Sequence, residues 1–174
     1  MEAKFKYLIK HIVLKDAIRA FAREEGEPYL YPIEFYTKYD SIGRPYVKGH
    51  GHAAEKVDHL FASFAQQDYK AIAIASDTPV GIELTKIEEK SEEFMKLAYT
   101  EKEIELLKTL NNNPEAMIRF WVAKEAAAKK VGYDLQENPK TFEVLAVEGD
   151  ILTVNQDRVQ TTKIGDDHVA GWTL

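Results

Sequence analysis

From Phe142 to Leu174 the chain writes one pattern twice: a β-prone apolar run, a short turn of glycine and acids, and a second β-prone run. Phe142 to Val147 and Ile151 to Asn155 flank Glu148-Gly149-Asp150, and Val159 to Ile164 and His168 to Leu174 flank Gly165-Asp166-Asp167. So short a link leaves no room for the crossover that parallel strands need, so each pair is an antiparallel hairpin. Helical signals precede these hairpins. Phe5, Leu8, Ile9, Ile12 and Val13 recur at helical spacing and predict a helix over 3–24, closed by Gly26 and Pro28. Thr100 with Glu103 has the form of a capping box opening a helix over 101–110. Asn113-Pro114 opens another that runs to about 130 and stops at Gly132. Residues 70–76 and 80–84 read as strands joined around Asp77-Thr78-Pro79. Residues 29–39 read as an extended edge segment interrupted by Pro32, 41–45 as a turn, and 46–58 as a loop carrying His50 and His52. This order of helix, strands, helices and strands predicts an α+β fold. The expected architecture is two similar lobes, a pseudo-dimer of 1–78 and 79–174, each a small antiparallel sheet on a long helix.

Composition narrows the function classes. The 174 residues include no cysteine, so disulfides, zinc–thiolate sites and cysteine nucleophiles are excluded. No apolar run approaches the roughly 18 residues of a membrane span, and charge begins at Glu2, so a cytoplasmic setting is the expectation. A net charge of −6 argues against a nucleic-acid partner. The charge is uneven. Residues 1–23 hold Lys4, Lys6, Lys10, Lys15, Arg19 and Arg23 against Glu2 and Asp16 alone, while 83–105 hold eight carboxylates against four lysines. His11, Lys15, Arg19 and Arg23 recur every four residues as one basic ridge. A basic start in an acidic chain suggests a local anion site.

Three charged residues sit where burial makes them costly. Glu83 falls inside a strand; Glu125 shares a helical stripe with Ile118 and Trp121; Lys129 follows one turn later. Two converging carboxylates without a thiolate favour a hard, oxygen-loving cation, and magnesium commonly shares itself with substrate phosphates. An adjacent lysine suits a phosphate ester. The residues alone therefore suggest magnesium-assisted chemistry on a phosphorylated small molecule, with a structural ion pair as the competing reading. No glycine-rich phosphate loop of the Walker type is present, which counts against nucleotide triphosphatases.

Val80-Gly81-Ile82-Glu83-Leu84, followed by Phe120-Trp121-Val122-Ala123-Lys124-Glu125-Ala126 and then Lys129, resembles the phosphopantetheinyl transferase signature. The segment Phe94 to Glu103, the stretch Leu8 to Ala20 and the element Gly43-Arg44-Pro45 extend the likeness to the two-lobed members, such as domains of polyketide-type synthases. The resemblance implies transfer of 4'-phosphopantetheine from coenzyme A to a serine of an acyl or peptidyl carrier protein, with release of 3',5'-ADP. It implies magnesium held by Glu83 and Glu125, with Glu125 as base on the carrier serine and Lys129 on the α-phosphate. It also implies nucleotide phosphate contacts from Arg44 and, through the basic ridge, from Lys15 and Arg19. A monomer can complete the cleft because both lobes lie in one chain, and the expected partner is an acidic carrier protein.

Three positions depart from the family pattern. Gln66, in Ala65-Gln66, replaces the usual histidine seventeen residues before the metal acid; Glu83 replaces an aspartate; Thr85 stands where many two-lobed members carry a second acid. Glutamine can donate one hydrogen bond but carries no positive charge. Two functions follow as expectations: an active transferase, or a catalytically weakened domain serving as a coenzyme A or carrier-protein scaffold.

Overall fold

The computed structural model describes residues 2–27, 29–133 and 135–174, and the side chains of Glu2, Ala3, Lys4 and Lys6 are not among those described. The expected helix stop at Pro28 and the contributions of Lys4 and Lys6 to the basic start therefore lie outside the described residues. The fold is α+β, with two antiparallel sheets. The first sheet has the order β1-β2-β3-β4, from β1 (Phe35–Tyr39), β2 (Pro45–Gly49), β3 (Phe61–Gln67) and β4 (Lys70–Ser76). The second has the order β5-β9-β8-β7-β6, from β5 (Ile82–Lys86), β6 (Val144–Glu148), β7 (Ile151–Val154), β8 (Asp157–Ile164) and β9 (His168–Thr173). Both C-terminal hairpins form as expected, β6 with β7 and β8 with β9.

Helix α1 (Glu2–Glu24) lies on β3 and β4. It does not bury the expected stripe. Phe5, Leu8 and Ile12 are exposed, and Leu14, Ile18 and Ala22 enter the core with Phe35, Val47 and Val57. The first turns reach the β3–β4 turn, where Phe5 meets the exposed Tyr69 edge-on. The buried residues lie about a third of a turn around the helix from Phe5, Leu8 and Ile12, so a different face of α1 meets the sheet. Residues 46–58 are more ordered than expected: β2 is followed by a short helix, α2 (Ala53–Val57), which buries Ala53 and Val57 beneath the first sheet. Strands β4 and β5 both form, but in different sheets, so Asp77-Thr78-Pro79 crosses from one sheet to the other.

Two caps set the helices of the second half. In α4 (Glu101–Thr109) the Thr100 hydroxyl accepts from Glu103 N and the Glu103 carboxylate accepts from Thr100 N, a complete capping box. A preceding short helix, α3 (Glu92–Ala98), was not legible as one; its N-cap is Ser91. Helix α5 (Pro114–Val131) opens at Asn113 and closes at Gly132, whose φ of 72° is a left-handed conformation that glycine adopts freely. Ala123, Ala126, Ala127 and Ala128 of α5 are buried, and such small side chains let the helix axis approach the second sheet closely.

Candidate active site

Gly81 sets the geometry of the site. A Cβ at this position would lie 1.9 Å from the Ala126 carbonyl oxygen and 2.8 Å from Lys130 N. Only glycine lets the start of β5 run directly against the backbone of α5. The approach is fixed by Gly81 N donating to Thr173 Oγ1 at 3.0 Å and Thr173 N donating to Gly81 O at 3.0 Å. Side chains alternate across a strand, so Glu83 shares the α5-facing side with Gly81, while Ile82 and Leu84 turn the other way. Leu84 packs there with Ala65 and Ala170 in an apolar seam between the sheets. A Cβ on Gly171, the register partner of Glu83, would meet Val122 of α5 at 2.5 Å, which places that face of the sheet against the helix.

A cleft of about 570 Å³ opens between the β1–β2 turn, β3, the start of β5 and the C-terminal half of α5. Arg44, Gln66, Glu83, Glu125 and Lys129 all line it. Lys15 and Arg19 do not. Lys15 donates to the Pro32 carbonyl, and Arg19 Nε donates to the Leu30 carbonyl at 3.0 Å, so both cations stabilise the segment after α1. Glu83 is mostly buried; its Oε2 lies 2.8 Å from Lys129 Nζ and its Oε1 accepts from Leu84 N at 2.7 Å. Lys129 also donates to the carbonyls of Phe64 at 3.1 Å and Ile82 at 3.2 Å, which ties α5 to strands of both sheets. Gln66 presents a buried Nε2 that makes no hydrogen bond among the described residues. Such a donor is costly until an acceptor arrives.

Among the described residues, no three His, Asp or Glu side chains gather into a complete metal site. Glu83 and Glu125 nevertheless line the same cleft. An oxygen-only pair suits magnesium, which keeps several waters and takes substrate phosphate oxygens as its remaining ligands.

Three further groups take part whose roles here were not evident from the sequence. Asp40 lines the cleft and ion-pairs with Arg44 at 2.8 Å; an Asp three residues ahead of a Gly-Arg pair is a turn signal that could have revealed it. Lys130 also lines the cleft and is held at 2.6 Å by Asp157. Behind the cleft, Lys124 and Glu103 are fully buried and paired at 2.8 Å. Lys124 donates as well to the Ala98 carbonyl, and Glu103 accepts from Val144 N at 2.9 Å, so the pair joins α4, α5 and β6. Burial draws the Lys124 ammonium below its ordinary pKa, and the hydrogen bond to Glu103 opposes that shift. Burial likewise pushes the Tyr99 phenol far up, and its hydroxyl donates to the Met117 carbonyl at 2.8 Å. One residue of helical rotation separates Lys124, turned into the core, from Glu125, turned into the cleft.

Glu83, Glu125 and Lys129 thus line one cleft beside the close approach of Gly81 to α5, in an α+β frame. Residues 79–172 match the family model of the 4'-phosphopantetheinyl transferase superfamily, and the chain belongs to that superfamily. The matched segment contains Glu83, Glu125 and Lys129; Arg44 and Gln66 precede it. No curated protein matches the chain. No helix among the described residues is long and apolar enough to cross a membrane.

Proposed function

We propose that this chain transfers 4'-phosphopantetheine from coenzyme A to a serine of an acyl or peptidyl carrier protein, with magnesium, and releases 3',5'-ADP. The observation that carries this reading is the convergence of Glu83, Glu125, Lys129, Arg44 and Gln66 on one cleft. In this reading 1–78 and 79–174 act as two lobes of the larger, pseudo-dimeric subtype, and one monomer completes the site. The serine oxygen attacks the β-phosphorus of coenzyme A in line with the departing α-phosphate oxygen. A serine–phosphorus bond forms, the pyrophosphate bond breaks, and the electron pair leaves on 3',5'-ADP. Glu125 takes the serine proton directly or through one water. Lys129, held in the cleft by Glu83 and two backbone carbonyls, acts through its positive charge on the negative charge developing at the α-phosphate. Arg44 and the Gln66 amide hold the phosphates. Glu83 and Glu125 would hold magnesium, which when bound offsets the pyrophosphate charge that repels the incoming oxygen.

A second reading, a scaffold that binds coenzyme A or a carrier with weakened turnover, draws on the engagement of Lys129 by Glu83 and two carbonyls, together with Gln66 and Thr85 at the departed positions. One assay separates the two. Apo carrier protein, coenzyme A and magnesium are incubated with the chain, and the carrier is weighed by mass spectrometry. A phosphopantetheine mass gain supports the transferase. Coenzyme A binding without any mass gain at high enzyme supports the scaffold.

A further inference from the structure

We propose that Asp40 is a positioning residue that holds the Arg44 guanidinium at the rim of the cleft in a preset pose. This rests on the assignment of Arg44 to the coenzyme A phosphates made above. The turn from Asp40 to Arg44 is built around one carboxylate. Asp40 Oδ1 accepts from Ile42 N at 3.0 Å and from Arg44 N at 2.9 Å, and Oδ2 accepts from Arg44 Nε at 2.8 Å. The backbone closes the same loop, with Asp40 N donating to Arg44 O at 3.0 Å and Gly43 N donating to Asp40 O at 3.1 Å. The arginine is therefore gripped by its inner nitrogen, which leaves the forked end of the guanidinium as the part presented to an anion.

A second surface pins it from the other side. At Gly132, the left-handed cap of α5, an added Cβ would lie 2.5 Å from Arg44 Cδ, 2.8 Å from Arg44 Nε and 2.4 Å from Ile42 Cδ1. The turn thus packs onto the carbonyl end of the helix that carries Glu125 and Lys129, and a cation is favoured at that end. Arg44 remains about half exposed even so, with 47% of its side chain accessible. An exposed arginine normally loses much rotamer freedom when it grips a ligand; here the loss is taken during folding. The arginine beside Asp40 holds that carboxyl below its ordinary range, so Asp40 is ionised at neutral pH.

The sign of the effect on coenzyme A binding separates positioning from plain charge repulsion. A carboxylate lining a site for a polyanion opposes binding on Coulomb grounds alone, so neutralising it should tighten coenzyme A. If Asp40 acts through Arg44, neutralising it weakens coenzyme A. The test is calorimetric titration of coenzyme A with magnesium onto the full chain carrying Asp40→Asn, Asp40→Ser, Arg44→Ala, or Asp40→Asn with Arg44→Ala. Serine keeps a turn-capping oxygen but cannot reach Arg44 Nε, so it separates the turn from the grip. Both single changes at 40 are expected to weaken coenzyme A about tenfold, the scale on which loss of an orienting partner is felt. In turnover they raise KM for coenzyme A more than they lower kcat. With Arg44→Ala present, Asp40→Asn leaves affinity unchanged or tightens it. Asp40→Asn binding as tightly as the parent, or tighter, while Arg44→Ala binds weakly, overturns the positioning role alone. An Arg44→Ala chain that binds as the parent does overturns the assignment of Arg44, and the proposal falls with it.

Discussion

Lys129 Nζ lies 2.8 Å from Glu83 Oε2, and the same ammonium donates to Phe64 O and Ile82 O. Its three donors therefore meet one acid and the backbones of two strands in different sheets. In the proposed mechanism, stability and chemistry meet in this residue. Lys129→Ala is expected to lower transfer by roughly 10²-fold or more, the scale of losing one charge-stabilising donor. It also removes bonds worth about 1.5–3 kcal/mol, which lowers the melting temperature by roughly 3–12 °C in a chain of this size. Calorimetry and the mass-gain assay read the two effects separately. A lost melting temperature with intact transfer would make Lys129 a structural bolt only.

Glu125 lies one helical turn before Lys129 and lines the same cleft. Glu125→Gln keeps the shape; in the proposed mechanism it removes the base and one of the two carboxylates that would hold the metal. Transfer is expected to fall nearly to background, with a higher magnesium requirement for whatever remains. Initial rates across a magnesium series check this. Parent-like turnover in Glu125→Gln would remove this residue from the mechanism.

Gly81→Ala tests the contact that builds the site. The new methyl collides with the Ala126 carbonyl, a backbone atom that cannot swing aside. Overpacking of this kind costs about 1–3 kcal/mol, and β5 must move away from α5 and carry Glu83 with it. Denaturant unfolding should show the loss of stability, and transfer should drop further than stability alone accounts for. A folded Gly81→Ala chain with full transfer would mean that the separation of β5 and α5 does not set the chemistry.

The C-terminal hairpins, α4 and α5 were legible because their signals are local. Gly149 and Gly165 mark turns, Thr100 with Glu103 marks a cap, and Asn113-Pro114 marks a helix start. The assembly of the first half was not, because it depends on partners distant in sequence. Which face of α1 is buried is decided by its packing on β3 and β4, which covers Leu14 and Ile18 and leaves Phe5 and Leu8 exposed. In the cleft, Glu83, Glu125 and Lys129 stood out as charges in apolar patterns. Asp40 did not, because its turn looks like any exposed Asx turn until Arg44 is seen against Gly132. For Lys15 and Arg19, which the resemblance suggested as phosphate contacts, the Pro32 and Leu30 carbonyls that receive them carry no sequence signature.

A polar contact between the two sheets sets an acid limit on stability. Lys70 of β4 lies 2.7 Å from Asp167 Oδ1, and His168 Nδ1 lies 2.7 Å from the same oxygen. The hydrogen bond from Lys70, then that from His168, lowers the Asp167 pKa from 3.8 to about 2. Because the folded pKa is depressed, the folded chain binds fewer protons than the unfolded chain in this range. The contribution is therefore fully present above about pH 4 and is lost as pH falls through 2. Asp167→Asn should lower stability at pH 5 but flatten its fall between pH 4 and pH 2. Parallel acid profiles for parent and variant, from unfolding at each pH, would exclude this coupling.

Gln66 provides the last test, because its buried Nε2 meets no acceptor among the described residues while it lines the cleft. An unpaired buried amide costs about 1–3 kcal/mol, and a phosphate oxygen placed there would recover it. Gln66→His replaces the neutral donor by a group with an unperturbed pKa of about 6.5. A bound phosphate raises that value, so the histidine takes up a proton on binding wherever the pH lies between its free and bound pKa. Coenzyme A should therefore bind more tightly to Gln66→His than to the parent, with a larger gain at pH 6 than at pH 8. Titration calorimetry at both pH values, in two buffers of different ionisation enthalpy, reads the affinity and the proton uptake together. Equal affinities at both pH values, with no proton uptake, would mean that the side chain at position 66 does not reach the phosphates.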